Sequence, residues 1–111
     1  MEVITLNGKQ YQEVCVPSKT GVVLIRTYSA GVHFGTIKER NGKEVTLVNA
    51  RRLWSWQGAC SLNQVAVDGV NIKNSNISVV VPEITLTEAI EIIPMTEAAA
   101  QQMMGAKPWK K

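Results

Sequence analysis

The dipeptide Asn41-Gly42 constrains this chain more than any other feature, because it separates two long β-prone runs. These are Val32-His-Phe-Gly-Thr-Ile-Lys38 and Glu44-Val-Thr-Leu-Val-Asn-Ala-Arg-Arg-Leu-Trp54. Asn-Gly supplies the positive φ angles of a tight type I′ turn, so the two runs are predicted to fold back as an antiparallel hairpin. Upstream, Val22-Val-Leu-Ile-Arg-Thr-Tyr28 is another apolar, β-branched stretch, and Ser29-Ala30-Gly31 turns it into the first of the two runs. Together they predict a three-stranded meander from residue 22 to about 55.

A second Asn-Gly, at positions 7 and 8, predicts a separate hairpin over residues 1–16, followed by the loop Pro17-Ser-Lys-Thr-Gly21. Beyond the meander the period changes. Ser61 can cap a short helix in which Leu62, Val65 and Ala66 recur at helical spacing before Gly69 ends it. Ile77 to Val81 reads as a strand broken by Pro82, and Ile84 to Ile93 as a second strand, although Leu86-Thr-Glu-Ala-Ile-Glu91 also fits a helix. Pro94, Thr96 and the run from Glu97 to Met104, closed by Gly105, carry the marks of a second helix.

The predicted class is therefore α+β and β-rich: an antiparallel β-meander sheet or small barrel with two short helices. Three segments follow: an N-terminal hairpin extension (1–16), a single β-rich domain (22–105) and a basic, frayed tail (106–111). A chain of 111 residues with 45% hydrophobic and 19% charged residues can build one modest core. It is too short for a cleft between two domains. The net charge of +3 lies partly in the tail and does not by itself argue for nucleic acid. Cys15 and Cys60 have no zinc-ligand spacing, no leader is evident, and no apolar run reaches the ~20 residues of a membrane span, so a reduced, cytosolic protein without membrane contact is expected.

If Asn41-Gly42 is central in its turn, residues whose numbers sum to 83 stand opposite one another; if Ala30-Gly31 is central, the sum is 61. That register gathers Leu24, Arg26, Tyr28, His33, Gly35, Ile37, Thr46, Val48, Ala50, Arg52 and Trp54 on one face. The other face takes Val23, Ile25, Phe34, Val45, Leu47 and Leu53 with Thr27, Thr36, Asn49 and Arg51. The second set is the more apolar and is the expected core. On the first, guanidinium forks suit phosphate and flat rings offer a stacking surface for a nucleobase, with Gly35 and Ala50 leaving room between them. The plain alternative is that Arg and Trp share a sheet face because a guanidinium packs well on an indole.

Nothing else in the sequence competes as a site. His33 has no Cys or Ser tied to it by motif, and Ser29-Ala30-Gly31 reads as a turn rather than a phosphate nest. Asp68, Glu88, Glu91 and Glu97 match neither an EF-hand nor a zinc motif. No catalytic residue, cofactor or metal site is assigned.

Three strings, Arg26-Thr-Tyr-Ser-Ala-Gly-Val-His33, Asn49-Ala-Arg-Arg-Leu-Trp54 and Leu86-Thr-Glu-Ala-Ile-Glu-Ile-Ile-Pro94, with Gly42-Lys-Glu-Val45 between the first two, resemble a family of small uncharacterised proteins of tailed bacteriophages and prophages. The resemblance spans roughly residues 22 to 98. By size, β-rich make-up and context, rather than by motif, such proteins are similar to phage nucleotide sponges. That likeness implies a homo-oligomer in the host cytoplasm that sequesters a nucleotide-derived immune signal, of cyclic oligonucleotide or cyclic ADP-ribose type, without catalysis. The ligand residues would be Arg26, Tyr28, His33, Arg51, Arg52, Trp54 and Trp56. Two other readings use the same residues: a nucleic-acid-binding module aided by the Lys107 to Lys111 tail, and a protein that binds a host or virion partner through Trp54 and Trp56.

Overall fold

The computed structural model describes residues 21–109. The hairpin expected over residues 1–16, Cys15 and the last two lysines lie outside the described residues. The strands are β1 (Val22–Thr27), β2 (Val32–Asn41), β3 (Glu44–Ser55), β4 (Asn76–Ile77), β5 (Val81–Leu86) and β6 (Ala89–Pro94), and the helices are α1 (Leu62–Asp68) and α2 (Glu97–Met104). The fold is α+β and strand-rich. Its single antiparallel sheet has the order β4-β3-β2-β1-β6, with β5 also on β3, and it does not close into a barrel.

The three-stranded meander forms, but both registers differ from the expected ones. Asn41 pairs with Glu44, so Gly42 and Lys43 are the central residues of the turn. Gly42 takes the positive φ of 63° and Lys43 does not, the pattern of a type II′ rather than a type I′ turn. The β1–β2 connection is a four-residue loop, not a two-residue turn. The Thr27 amide donates to the Gly31 carbonyl and the Ala30 amide to Thr27 Oγ1, so Leu24 faces Phe34 and Ile25 faces His33.

Two β-bulges in the β2–β3 hairpin decide which residues share a face. At the first, three steps along β3 (Arg51 to Val48) oppose two along β2 (Phe34 to Thr36), and Asn49 sits there with φ 51°. Asn tolerates this left-handed backbone better than other side chains do. The extra residue reverses the alternation of β3, bringing Ala50 onto the same side as Val45 and Leu47. Gly35 lies directly beneath the bulge. A Cβ there would come within 3.1 Å of Ala50 Cα and of the Val48 carbonyl oxygen, so the small residues admit backbone here and leave no floor for a ligand.

The bulges also bend the hairpin. The Lys43 carbonyl at its tip accepts from the Ala89 amide, next to the bond from the Tyr28 amide to the Glu88 carbonyl, so the far end of β2–β3 returns toward the end of β1. The sheet is thus buried on both sides. One core packs Leu24, Phe34 and Leu53 against Val65, Met95 and Met103 of the helical layer. The other joins Ile25, Val45, Leu47, Ala50 and Leu86 inside the bend. Each fully buried Leu or Ile contributes about 1.5–3 kcal/mol.

Local signals place the remaining elements. Ser61 Oγ accepts from the Gln64 amide to cap α1, and Thr96 Oγ1 accepts from the Ala99 amide to cap α2 while donating to the Val67 carbonyl, which ties the two helices. Pro82 does not break a strand as expected, since it lies within β5. A strand with one paired edge tolerates the missing N–H. The helical alternative for residues 86–91 is excluded, because Ala89 to Pro94 form β6 and pair with β1.

Candidate functional site

After the bulge, β3 sends alternate side chains to opposite sides of the sheet, and its two adjacent arginines acquire different environments. Arg51 faces Phe34 and enters the helix-side core, where it is only 2% exposed. Its Nε donates to the Ser78 carbonyl at 2.8 Å, and Nη1 donates to the carbonyls of Met103 (3.1 Å) and Met104 (2.9 Å). Both carbonyls lie in the last turn of α2, at the negative pole of the helix, where that of Met103 also accepts from the Ala106 amide. Burial lowers the pKa of this guanidinium, and Nη2 is buried without a partner. Arg51 is a strut between sheet and helix.

Arg52 faces His33 on the other side. Its amide donates to Ser78 Oγ and its carbonyl accepts from the Ser78 amide, which anchors the strand to the segment before β5. Its guanidinium is half-buried, lies 5.6 Å from the centre of the Trp54 ring, and makes no ion pair among the described residues. Trp54 in turn stacks on Trp109, with ring centres 6.3 Å apart and planes inclined by 23°. Trp109 is held by its amide, which donates to the Ile77 carbonyl at 2.8 Å. The tail expected to fray is therefore docked as far as residue 109.

Arg52, Ser78 and Val79 form a wall common to two adjoining cavities. The first, about 180 Å³, is lined by His33, Ala50, Val79, Val81 and Ile84, and Arg51 borders it. The second, about 270 Å³, is lined by the same wall together with Trp54 and Trp109. Apart from Arg52 and Ser78, both are walled mainly by apolar and aromatic groups.

His33 is 1% exposed. A carbonyl can only accept, so the 2.9 Å contact with Ala30 O makes Nε2 the protonated nitrogen, and Nδ1 is left as a lone-pair acceptor without a hydrogen-bond partner among the described residues. Burial lowers the pKa of His33 below 6.5; the bond to Ala30 opposes this, and the Arg52 charge adds to it. His33 is the one histidine in the chain. Because the unfolded state binds its proton more readily, stability is expected to fall as pH drops through 6.5 and to level off once the lowered folded pKa is passed. Urea midpoints between pH 7.5 and 5 measure this. A His33→Gln variant should lose the part of the slope that lies in that window, and an unchanged slope would remove His33 as its source.

Of the seven residues expected to bind a ligand, His33, Arg52 and Trp54 converge on these cavities, with Arg51 behind them. The other three lie elsewhere. Arg26 is exposed and pairs with Glu91 at 3.4 Å; Tyr28 is 78% exposed on the β1–β2 loop beside Lys43 and Glu88; Trp56 packs against the helix-side core. The face that grouped Arg26 and Tyr28 with Arg52 rested on the 61 register, which the four-residue loop displaces. Sequence reasoning missed Trp109 and Ser78. A tryptophan within Lys107-Pro-Trp-Lys-Lys111 was the signal for the first, since a solvated tail has no use for an indole. Among the described residues no group of His, Cys, Asp and Glu is arranged to hold a metal ion, and no helix is long and apolar enough to cross a membrane.

Residues 20–103 match a family described as a domain of unknown function, DUF6948. The match contains His33, Arg52, Trp54 and Ser78 and stops short of Trp109. No curated protein and no solved structure matches the chain.

Proposed function

We propose that this chain, which belongs to the DUF6948 family, is a binding module for a small nucleotide-type ligand, held in the paired cavities without chemical change. Arg52 carries the reading. It is a half-buried guanidinium with no ion pair among the described residues, set on the wall common to two largely apolar cavities and beside a tryptophan pair. A guanidinium fork suits a phosphate, and indole faces suit a flat heterocycle. The neighbouring proton donors are already committed: Ser78 Oγ donates to the Val79 carbonyl and His33 Nε2 to the Ala30 carbonyl. Holding the ligand is thus better supported than transforming it.

The resemblance to phage proteins gives this binding its proposed setting. A homo-oligomer in the host cytoplasm would sequester a nucleotide-derived immune signal, such as a cyclic oligonucleotide or a cyclic ADP-ribose derivative.

The test is a thermal-shift panel of mononucleotides, linear and cyclic dinucleotides and cyclic ADP-ribose on the full chain. At a concentration about a hundredfold above Kd, a binder adds about 2.7 kcal/mol, which raises Tm by roughly 10 °C or more for a domain of this size. No shift with any member rejects the proposal. Binding confined to long single strands, with a steep salt dependence, would replace it with nucleic-acid binding.

A further inference from the structure

We infer that the two cavities are two base subsites flanking one phosphate position, so that the ligand class is a dinucleotide. This rests on the nucleotide-binding reading above and names its ligand class. Size comes first: an apolar cavity of about 150 Å³ is known to hold a benzene ring. The His33 cavity of about 180 Å³ and the tryptophan cavity of about 270 Å³ are both open to solvent on one side, and each has room for one heterocycle whose ribose points outward. A single nucleobase fills one and leaves the other empty. Their shared wall places Arg52 between them, where the phosphate of a two-base ligand would lie.

The two ends read their rings differently. The stacked pair Trp54 and Trp109 lines its cavity with indole surface, against which any base can pack. The other cavity has apolar walls and the unpartnered His33 Nδ1. That nitrogen only accepts, because Nε2–H is committed to Ala30. A ring that donates an N–H, such as the exocyclic amine of adenine, satisfies it, whereas a ring without a donor leaves it dry and unpaired. The site is therefore tolerant at the tryptophan end and selective at the histidine end.

Isothermal titration of the full chain with three probes tests this: adenosine 5′-monophosphate, the linear dinucleotide pApA, and the same dinucleotide built from purine riboside, which lacks both amines. The dinucleotide pApA is expected to bind about tenfold or more tighter than the monophosphate. The amine-free analogue should lose about threefold to tenfold relative to pApA. In Trp54→Ala the advantage of pApA over the monophosphate should shrink to near unity, with circular dichroism confirming that the variant is folded. Equal affinity of pApA and the monophosphate for the wild-type chain would overturn the two-subsite inference while leaving nucleotide binding intact. An amine-free analogue that binds as well as pApA would remove the role given to His33. If none of the three binds, this inference falls, while the nucleotide reading stands or falls on the wider thermal-shift panel.

Discussion

Arg51→Ala is expected to cost on the order of 3–5 kcal/mol of folding stability, the largest effect of any single substitution considered for this chain. Arg51 is the largest fully buried side chain among the described residues. Its three hydrogen bonds fasten β3 to the segment before β5 and to the last turn of α2. Each is a bond from a charged donor, worth about 1.5–3 kcal/mol, though three such values do not add. Truncation removes the Arg51 donor from the carbonyls of Ser78 and Met104, leaves that of Met103 with only its backbone bond from Ala106, and opens a cavity beneath the helical layer. Against a typical stability of roughly 5–15 kcal/mol, the loss is a large share of the total.

Arg51→Met separates the contributions. It retains most of the volume and removes the buried Nη2 donor that has no partner, so it should cost about half as much as alanine. Arg51→Lys keeps the charge but cannot span both directions of the fork, and should also fall between wild type and alanine. Urea midpoints at constant m-value measure all three. An alanine variant within about 1 kcal/mol of wild type would mean that the strut is dispensable.

The same pair of arginines shows how far the sequence reaches. Strand parity alone sends Arg51 and Arg52 to opposite faces, and it keeps His33 with Arg52 and Trp54, as the structure has them. The helices were legible because their signals are local: a Ser or Thr cap, a helical apolar spacing and a terminal glycine all lie within a dozen residues. Arg26 and Tyr28 were misplaced because a register depends on loop length. Residues Tyr28 to Gly31 form a loop stabilised by a Thr27 hydroxyl, and nothing in Ser-Ala-Gly distinguishes that from a tight turn.

The reversal of parity along β3 was hidden for a similar reason. A bulge costs one residue, and its only trace in the sequence is an asparagine amid β-branched neighbours. Apolar Val45 and Leu47 thus share a side with Ala50, whereas unbroken alternation would have placed them with Arg51 and Leu53. An indole in a basic tail signals that Trp109 docks, but where it docks is not local information: its position is set by a contact with Trp54, 55 positions away in the chain (109 less 54), and by one amide bond to Ile77.

Arg52→Ala is the second large effect expected, on ligand binding rather than folding. Its guanidinium makes no ion pair among the described residues and the residue is only partly buried, so its removal should leave the urea midpoint nearly unchanged. A phosphate held by it, in contrast, loses a charge-assisted bond worth about 1.5–3 kcal/mol, which is roughly a tenfold to hundredfold rise in Kd for any nucleotide that the chain binds. Arg52→Lys should recover only part of that, because lysine supplies a point charge without the planar fork or the packing on Trp54. Arg26→Ala is the matched control. It removes an arginine from the same sheet, but one paired with Glu91 and remote from the cavities, so affinity should hold. The salt dependence carries the same information independently. One guanidinium at one phosphate predicts a shallow slope of log K against log salt, of about one ion, where a surface tracking a nucleic-acid backbone would give a slope of several. If Arg52→Ala binds nucleotide as tightly as wild type while Arg26→Ala does not, the phosphate position moves from the shared wall of the two cavities to the β1–β6 edge, and the site must be redrawn around Arg26 and Tyr28.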